Sequence, residues 1–252
     1  MAQLFENLTS QLENSIHASF TEFSFSSGVL SRKQSLQKWF AGYQAVIKRT
    51  VDIVVSFLFI LAGLPMMGMI ALVIKLTSKG PVFFLQERIG YHGKSFWIIK
   101  FRTMHTENPQ EEHRGYIKNL LNEDFSVDPE KVISDYFTYV DRRTTPLGRL
   151  LRASSLDEIP QLFNILLGHM SLVGPRPHPV YEVQEYKEWY RRRLHVKPGL
   201  TGWSKLNLRL TPQNYEESIL YDLWYVDNWS NGLDLKILLM TVPFVLSMKD
   251  AH

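Results

Sequence analysis

The longest hydrophobic run in the chain is Val51 to Ile74, 24 residues with one charge, Asp52. Roughly 20 apolar residues suffice to cross the hydrocarbon core of a bilayer. A buried helix of a soluble protein is the other way to use such a run. Pro65 lies within it, between Gly63 and Gly68. A proline removes one helical N–H and crowds the preceding turn, so a bend is expected there. The basic flanks, Lys48 and Arg49 before and Lys75 and Lys79 after, are balanced and set no direction across a membrane. Asp52 follows Lys48 by four residues and Arg49 by three, which allows pairing with both on one helix face. A helix that enters, breaks at Pro65 and leaves by the same face fits this pattern. A kinked span fits it too.

The first 47 residues hold eight serines and scattered phenylalanines without a sustained period. They predict short helices or partial disorder, and no signal peptide. After the apolar run, Gly80-Pro81 opens a strand-like stretch through Leu85, and Phe96 to Arg102 reads as a second strand. Between them, Gly93-Lys94-Ser95 imitates the end of a phosphate-binding loop. Arg88 stands where that motif needs glycine, so the segment is read as a hairpin turn. Leu147–Leu167 is helical in pattern, and Tyr181–His195 reads as an amphipathic helix. Leu233–Leu246 is too short to span; it suits an amphipathic helix in a membrane interface, or a core helix.

Composition narrows the function. With 28 basic and 25 acidic residues the net charge is +3, too mild for a nucleic-acid binder. The absence of cysteine excludes a disulfide scaffold, a thiolate zinc site and a thiol nucleophile. Nine acids and three bases fall between His105 and Asp141, so an acidic insert sits in an otherwise basic body. Such a body suits a phosphate-bearing ligand or an anionic bilayer face.

The residues with most chemical promise are in Ser154-Ser155-Leu156-Asp157-Glu158-Ile159-Pro160. Ser155 and Glu158 have the spacing of a capping box, and two carboxylates in a first helical turn are stabilising in their own right. If Asp157 is the cap, Pro160 is better placed. In either case Asp157 is held ionised, as a nucleophile toward phosphorus must be. Glu158 doubles the negative charge and invites Mg²⁺, which favours carboxylate and phosphate oxygens. Arg152 stands five residues before Asp157. Arg176 lies between two prolines in Gly174-Pro175-Arg176-Pro177, where a stiff loop could present it to phosphate oxygens. Lys197-Pro198-Gly199-Leu200-Thr201-Gly202-Trp203 is a second stiff loop. There is no Asp-x-Asp, Gly-x-Ser-x-Gly or His-Glu-x-x-His motif.

Six motifs occur in order: Lys48-Arg49-x-x-Asp52, Gln86-x-Arg88-x-Gly90, Lys100-Phe101-Arg102-Thr103-Met104, Ser155-Leu156-Asp157-Glu158-x-Pro160-Gln161, Gly174-Pro175-Arg176-Pro177 and Lys197-Pro198-Gly199-x-Thr201-Gly202-Trp203. Together, over about residues 47 to 248, they resemble the bacterial sugar transferase family, the monotopic polyprenyl-phosphate phosphoglycosyl transferases. The resemblance implies transfer of a sugar 1-phosphate from a UDP-sugar to undecaprenyl phosphate, with release of UMP. It implies Asp157 as the nucleophile that carries the phosphosugar, Glu158 as its assistant, and Mg²⁺ held by both. It implies phosphate binding by Arg152 and Arg176, and nucleotide binding by Arg209, Lys100 and Arg102. It also favours the re-entrant reading of Pro65, with the catalytic domain on the cytoplasmic face of the bacterial inner membrane.

Two features depart from the family pattern. The acidic stretch 105–141 is longer than in compact members. Ser204-Lys205-Leu206-Asn207-Leu208-Arg209 replaces the more usual Gln-Val-Asn-Gly-Arg. No apolar span precedes residue 47, as in short members of the family. The expected architecture is an α/β, small membrane-associated catalytic domain with a helix-break-helix membrane segment and amphipathic interfacial helices. Its parts are an extension (1–47), the re-entrant helix (48–76), the transferase domain with its insert (77–232) and a C-terminal interfacial helix and tail (233–252). The expected reaction initiates surface polysaccharide or glycoconjugate assembly. A homo-oligomer is left open. A non-catalytic membrane-bound assembly protein on the same fold, and a phosphohydrolase with water as acceptor, are the alternatives.

Overall fold

The computed structural model describes residues 34–105, 138, 140–208 and 214–247. The extension before residue 34, nearly all of the acidic insert, and Arg209 lie outside the described residues. The chain divides into two units, Met1–Tyr43 and Gln44–His252; apart from the first residues of the first helix, the features below belong to the second.

Helix α1, Gln34–Thr77, contains the apolar run and continues through Pro65, so the expected break does not end the helix. One stripe of it is buried: Asp52, Ser56, Ile60, Met67 and Ile74. Steps of four and seven residues keep these on one face of a 3.6-residue helix. The other faces expose Val54, Phe57, Leu58, Phe59, Leu61, Leu64, Met69, Leu72 and Leu76. Water-exposed apolar surface of this extent marks a site for another apolar phase.

The ends of the buried stripe are fastened to the same body. Near its start, Asp52 accepts hydrogen bonds from Leu172 N and Ser171 Oγ at 2.9 and 3.0 Å. Arg49 donates to the Ile165 and Leu166 carbonyls at 2.6 and 2.8 Å, and Lys48 to Asp234 Oδ2 at 2.6 Å. The expected pairing of Asp52 with Lys48 and Arg49 is thus replaced by longer-range partners, because each side chain finds a better-placed donor or acceptor in the body. Farther along, Met67 and Ile74 pack with Phe101 and Leu151, and Leu156 and Ile159 pack against this cluster.

The expected hairpin forms as β1, Phe83–Ile89, and β2, Ser95–Phe101, in register from Phe83 opposite Phe101 to Ile89 opposite Ser95. Opposed residues share a face, so Phe84, Gln86, Arg88, Phe96, Ile98 and Lys100 lie on one side. Phe101, on the other side, packs on α1.

The helical pattern of 147–167 resolves into three pieces. Helix α2 is Pro146–Ala153, capped by Thr145. A 3₁₀ turn, Leu156–Glu158, follows, and then α3, Gln161–Leu166. Pro160 occupies the N-cap of α3, where its missing N–H costs nothing. After α3 come β3, Ser171–Val173; β4, His178–Pro179; and α4, Val180–Gln184. The expected helix over Tyr181–His195 is instead α4 followed by a 3₁₀ segment, Glu188–His195. Next are β5, Gly199–Thr201; α5, Trp203–Asn207; α6, Tyr215–Asn228; and α7, Asn231–Leu246. Strands β2, β1 and β4 form an antiparallel sheet in that order, and β3 pairs in parallel with β5. On α7, Asp234 and Ile237 face inward, while Leu235, Leu239, Val242 and Leu246 are exposed.

Candidate active site

The 3₁₀ turn Leu156–Glu158 is entered through Ser155, whose φ of 54° is in the left-handed region. A non-glycine residue there is strained and persists only when its surroundings hold it. Ser155 Oγ forms no capping bond, so the capping box expected from spacing is not made. The turn points adjacent carboxyls in different directions. Asp157 is buried, and Glu158 lines a small, open cleft.

Glu158 is held at both oxygens. Lys100 Nζ from β2 is 2.7 Å from Oε1, and Lys205 Nζ from α5 is 2.8 Å from Oε2. Burial pushes its carboxyl upward, but the charges of Lys100, Lys205 and Arg176 outweigh that and hold it well below the usual range. Asp157 has the opposite balance. Burial dominates and, with the adjacent Glu158 charge, raises it to about 6 against the opposing effects of Lys100, Lys205 and Arg152. One carboxylate is therefore a fixed charge. The other sits near the point of ionisation.

The cleft is walled by Lys100, Arg88 and Ile98 from the hairpin, by Glu158 and Gln161, by Gly174, Arg176 and Pro177, and by residues 199–202 with Ser204 and Lys205. The Arg176 guanidinium is exposed on this wall and makes no side-chain hydrogen bond or ion pair among the described residues. Arg88 donates to the Pro177 carbonyl at 2.8 Å and to Gln86 Oε1. Burial lowers it to about 10, against the pull of Glu182. The two stiff loops meet through glycine: a Cβ on Gly199 would stand 2.1 Å from Gly174 N. Only glycine permits that approach.

The structure therefore brings Lys100, Glu158 and Arg176 to one cleft, with Asp157 beside it. Arg152 acts on Asp157 through its charge, while its guanidinium reaches Thr144 Oγ1 at 3.4 Å. Arg102 does not join them. Its guanidinium is buried and donates to Ser78 O and Oγ at 3.0 and 2.8 Å and to Lys79 O, at the end of α1. That is the role of a helix C-cap. Pro65 is exposed on α1. Sequence reasoning missed Lys205, which lies in the departure from the family pattern, and gave no role to Arg88, although its motif was in view.

A cleft rimmed by cations, with Glu158 in its wall and Asp157 beside it, is chemically suited to a phosphate-bearing ligand. The chain belongs to the bacterial sugar transferase family, whose profile matches residues 43–248. It is 41% identical over 208 residues to a UDP-glucose:undecaprenyl-phosphate glucose-1-phosphate transferase of Klebsiella pneumoniae, covering 80% of this chain and 40% of that protein. It is 43% identical over 202 residues to the uncharacterized sugar transferase EpsL of Bacillus subtilis, covering 80% of this chain and 88% of that protein. An undecaprenyl-phosphate galactose phosphotransferase of Salmonella typhimurium is 39% identical over 207 residues, 82% of this chain and 42% of that protein. The chain thus spans about two fifths of the length of the Klebsiella and Salmonella relatives.

Proposed function

We propose that this protein transfers a sugar 1-phosphate from a UDP-sugar to undecaprenyl phosphate through an aspartyl-phosphosugar intermediate. The observation that carries this reading is the division of labour in the carboxylate pair: Glu158 is locked by two lysines, while Asp157 has the higher proton affinity at the edge of a cationic cleft. An Asp157 oxygen attacks the sugar-bearing phosphorus, and the bond from that phosphorus to the bridging oxygen breaks. UMP leaves with the bridging oxygen and its electron pair. An oxygen of undecaprenyl phosphate then attacks the same phosphorus, and the bond to Asp157 breaks, restoring the carboxylate. Charge balances in both steps without a general base, because each attacking oxygen is already anionic. Arg176, Lys100 and Lys205 counter the charge on the phosphates and on departing UMP. Arg152 favours the ionised form of Asp157.

The donor chemistry fits Mg²⁺. Asp157 and Glu158 would hold it through hard oxygens. Among the described residues no three acidic or imidazole side chains converge, so substrate phosphates would complete the set, as is usual for this ion. When bound, it would neutralise phosphate charge.

The membrane reading is supported by the way α1 is fastened. From Asp52 to Ile74 an α-helix rises ~33 Å, yet residues near both ends pack on one polar body. A perpendicular span would draw that body, including Leu156 and Ile159 beside the carboxylates, into hydrocarbon. A segment with both ends on the cytoplasmic face of the bacterial inner membrane avoids this. It also puts the cleft where a cytosolic donor meets a lipid acceptor, at the first step of surface polysaccharide or glycoconjugate assembly.

The test is a panel of UDP-sugars with protein in vesicles, with and without undecaprenyl phosphate. Donor alone should add the mass of one phosphosugar to the protein, and acceptor should discharge it to lipid. Nucleotide release with free sugar phosphate as product would indicate a hydrolase. No release with any donor would leave the assembly-protein alternative.

A further inference from the structure

The loop Gly174-Pro175-Arg176-Pro177 has its backbone polar groups committed to partners distant in sequence. Gly174 N donates to Thr201 O at 3.0 Å, and Pro175 O accepts from Gly199 N at 2.9 Å. Pro177 O accepts from Arg88 at 2.8 Å. Arg176 O accepts from Arg193 Nη2 at 2.8 Å, and Arg176 N–H stabilises the Asp222 carboxylate as a backbone hydrogen bond. Arg193 and Asp222 form an ion pair with each other, at 2% and 3% side-chain exposure.

A buried ion pair is a weak source of net stability, because desolvating two charges offsets their attraction. This one is also well tethered. Asp222 Oδ1 accepts from Ser204 Oγ at 2.6 Å, and Arg193 Nη1 donates to Tyr186 OH at 2.8 Å and meets the His178 ring. Its two charged groups grip the two polar groups of a single residue, Arg176, whose guanidinium is left open to the cleft.

We infer that Arg193 and Asp222 are positioning residues for the proposed donor site: they fix the backbone of Arg176 so that its guanidinium meets the donor's phosphates. The inference rests on the proposed function and adds residues that touch no substrate themselves. Arg193, on the 3₁₀ segment Glu188–His195, and Asp222, on α6, lie 17 and 46 residues beyond Arg176 in the chain. The loop's two prolines stiffen it but cannot anchor it.

The test is a double-mutant cycle on the rate of phosphosugar adduct formation, read by intact mass with the full chain in vesicles. Asp222→Asn should slow adduct formation by about tenfold, the scale of losing one well-aligned charge-assisted phosphate contact. In an Arg176→Ala background the same change should cost less than about twofold, because the group it positions is gone. Equal losses in both backgrounds would overturn the inference and leave Asp222 a stability residue. Asp222→Asn strands a buried arginine, so Ser204→Ala is run as the milder variant. It loosens the Asp222 carboxylate without removing its charge, and should show the same background dependence with a smaller loss. If the wild-type protein forms no adduct with any UDP-sugar, the proposed reaction fails. The cycle is then read as UDP affinity by calorimetry, where equal losses in both backgrounds again reject positioning.

Discussion

Replacing Asp157 with asparagine should abolish turnover and at the same time stabilise the fold. Asparagine is nearly isosteric, but its amide is a poor nucleophile. The stability change follows from the ionisation of Asp157. Its carboxyl is raised from 3.8 to about 6, first by burial and then by the Glu158 charge. Between those values the folded protein holds a proton that the unfolded chain has released, so stability falls as pH rises through this window. A shift of about two units corresponds to roughly 3 kcal/mol, complete above pH ~6.5. Asparagine carries no such cost. Asp157→Asn should therefore match the wild type below pH ~4 and exceed its stability by about 2–3 kcal/mol at pH 7.5, or roughly 5–10 °C for a domain of this size. Thermal unfolding of both proteins in the same detergent from pH 4 to 8 measures this. Intact mass after incubation with UDP-sugar measures the chemistry, with an adduct on the wild type and none on the variant. A stability difference that is flat with pH, or a variant less stable at pH 7.5, would refute the electrostatic account. An adduct on the variant would refute Asp157 as nucleophile.

Arg176→Lys keeps the charge but loses two-pronged contact, and steady-state kinetics should show a drop of about tenfold or more. Wild-type rate in that variant would make Arg176 a loop residue. Arg102→Gln should lower stability by about 2–3 kcal/mol through lost hydrogen bonds at the end of α1, with the KM for UDP-sugar unchanged in the folded fraction. A raised KM there would return Arg102 to the nucleotide site. Cysteines introduced as Tyr43→Cys and Ser95→Cys, both exposed positions in a cysteine-free chain, should react with an impermeant reagent from the cytosolic side alone. Periplasmic labelling of the first would make α1 a true span.

Properties that depend on neighbouring residues were legible in the chain. The apolar run became one long helix, and two short apolar runs flanking a glycine-bearing turn became the hairpin, because run length and turn chemistry act over a few residues. The Asp157-Glu158 pair could be singled out because both groups lie in one short motif. Its separation into a locked and a titratable carboxylate could not, since it depends on Lys100 and Lys205, 58 and 47 residues away from Glu158 in the chain. Lys100 and Arg102 show the limit most directly. A period of two would place them on one strand face, but β2 ends at Phe101, and Arg102 turns away to the carbonyls of Ser78 and Lys79, just past the end of α1. Periodicity carries a side chain's direction only while the strand lasts. The anchoring of Arg176 is equally remote from local pattern: two prolines mark a stiff loop, but the ion pair that holds it is assembled by α6 and a 3₁₀ segment. Desolvation decides such pairings, and burial exists only once the chain has folded.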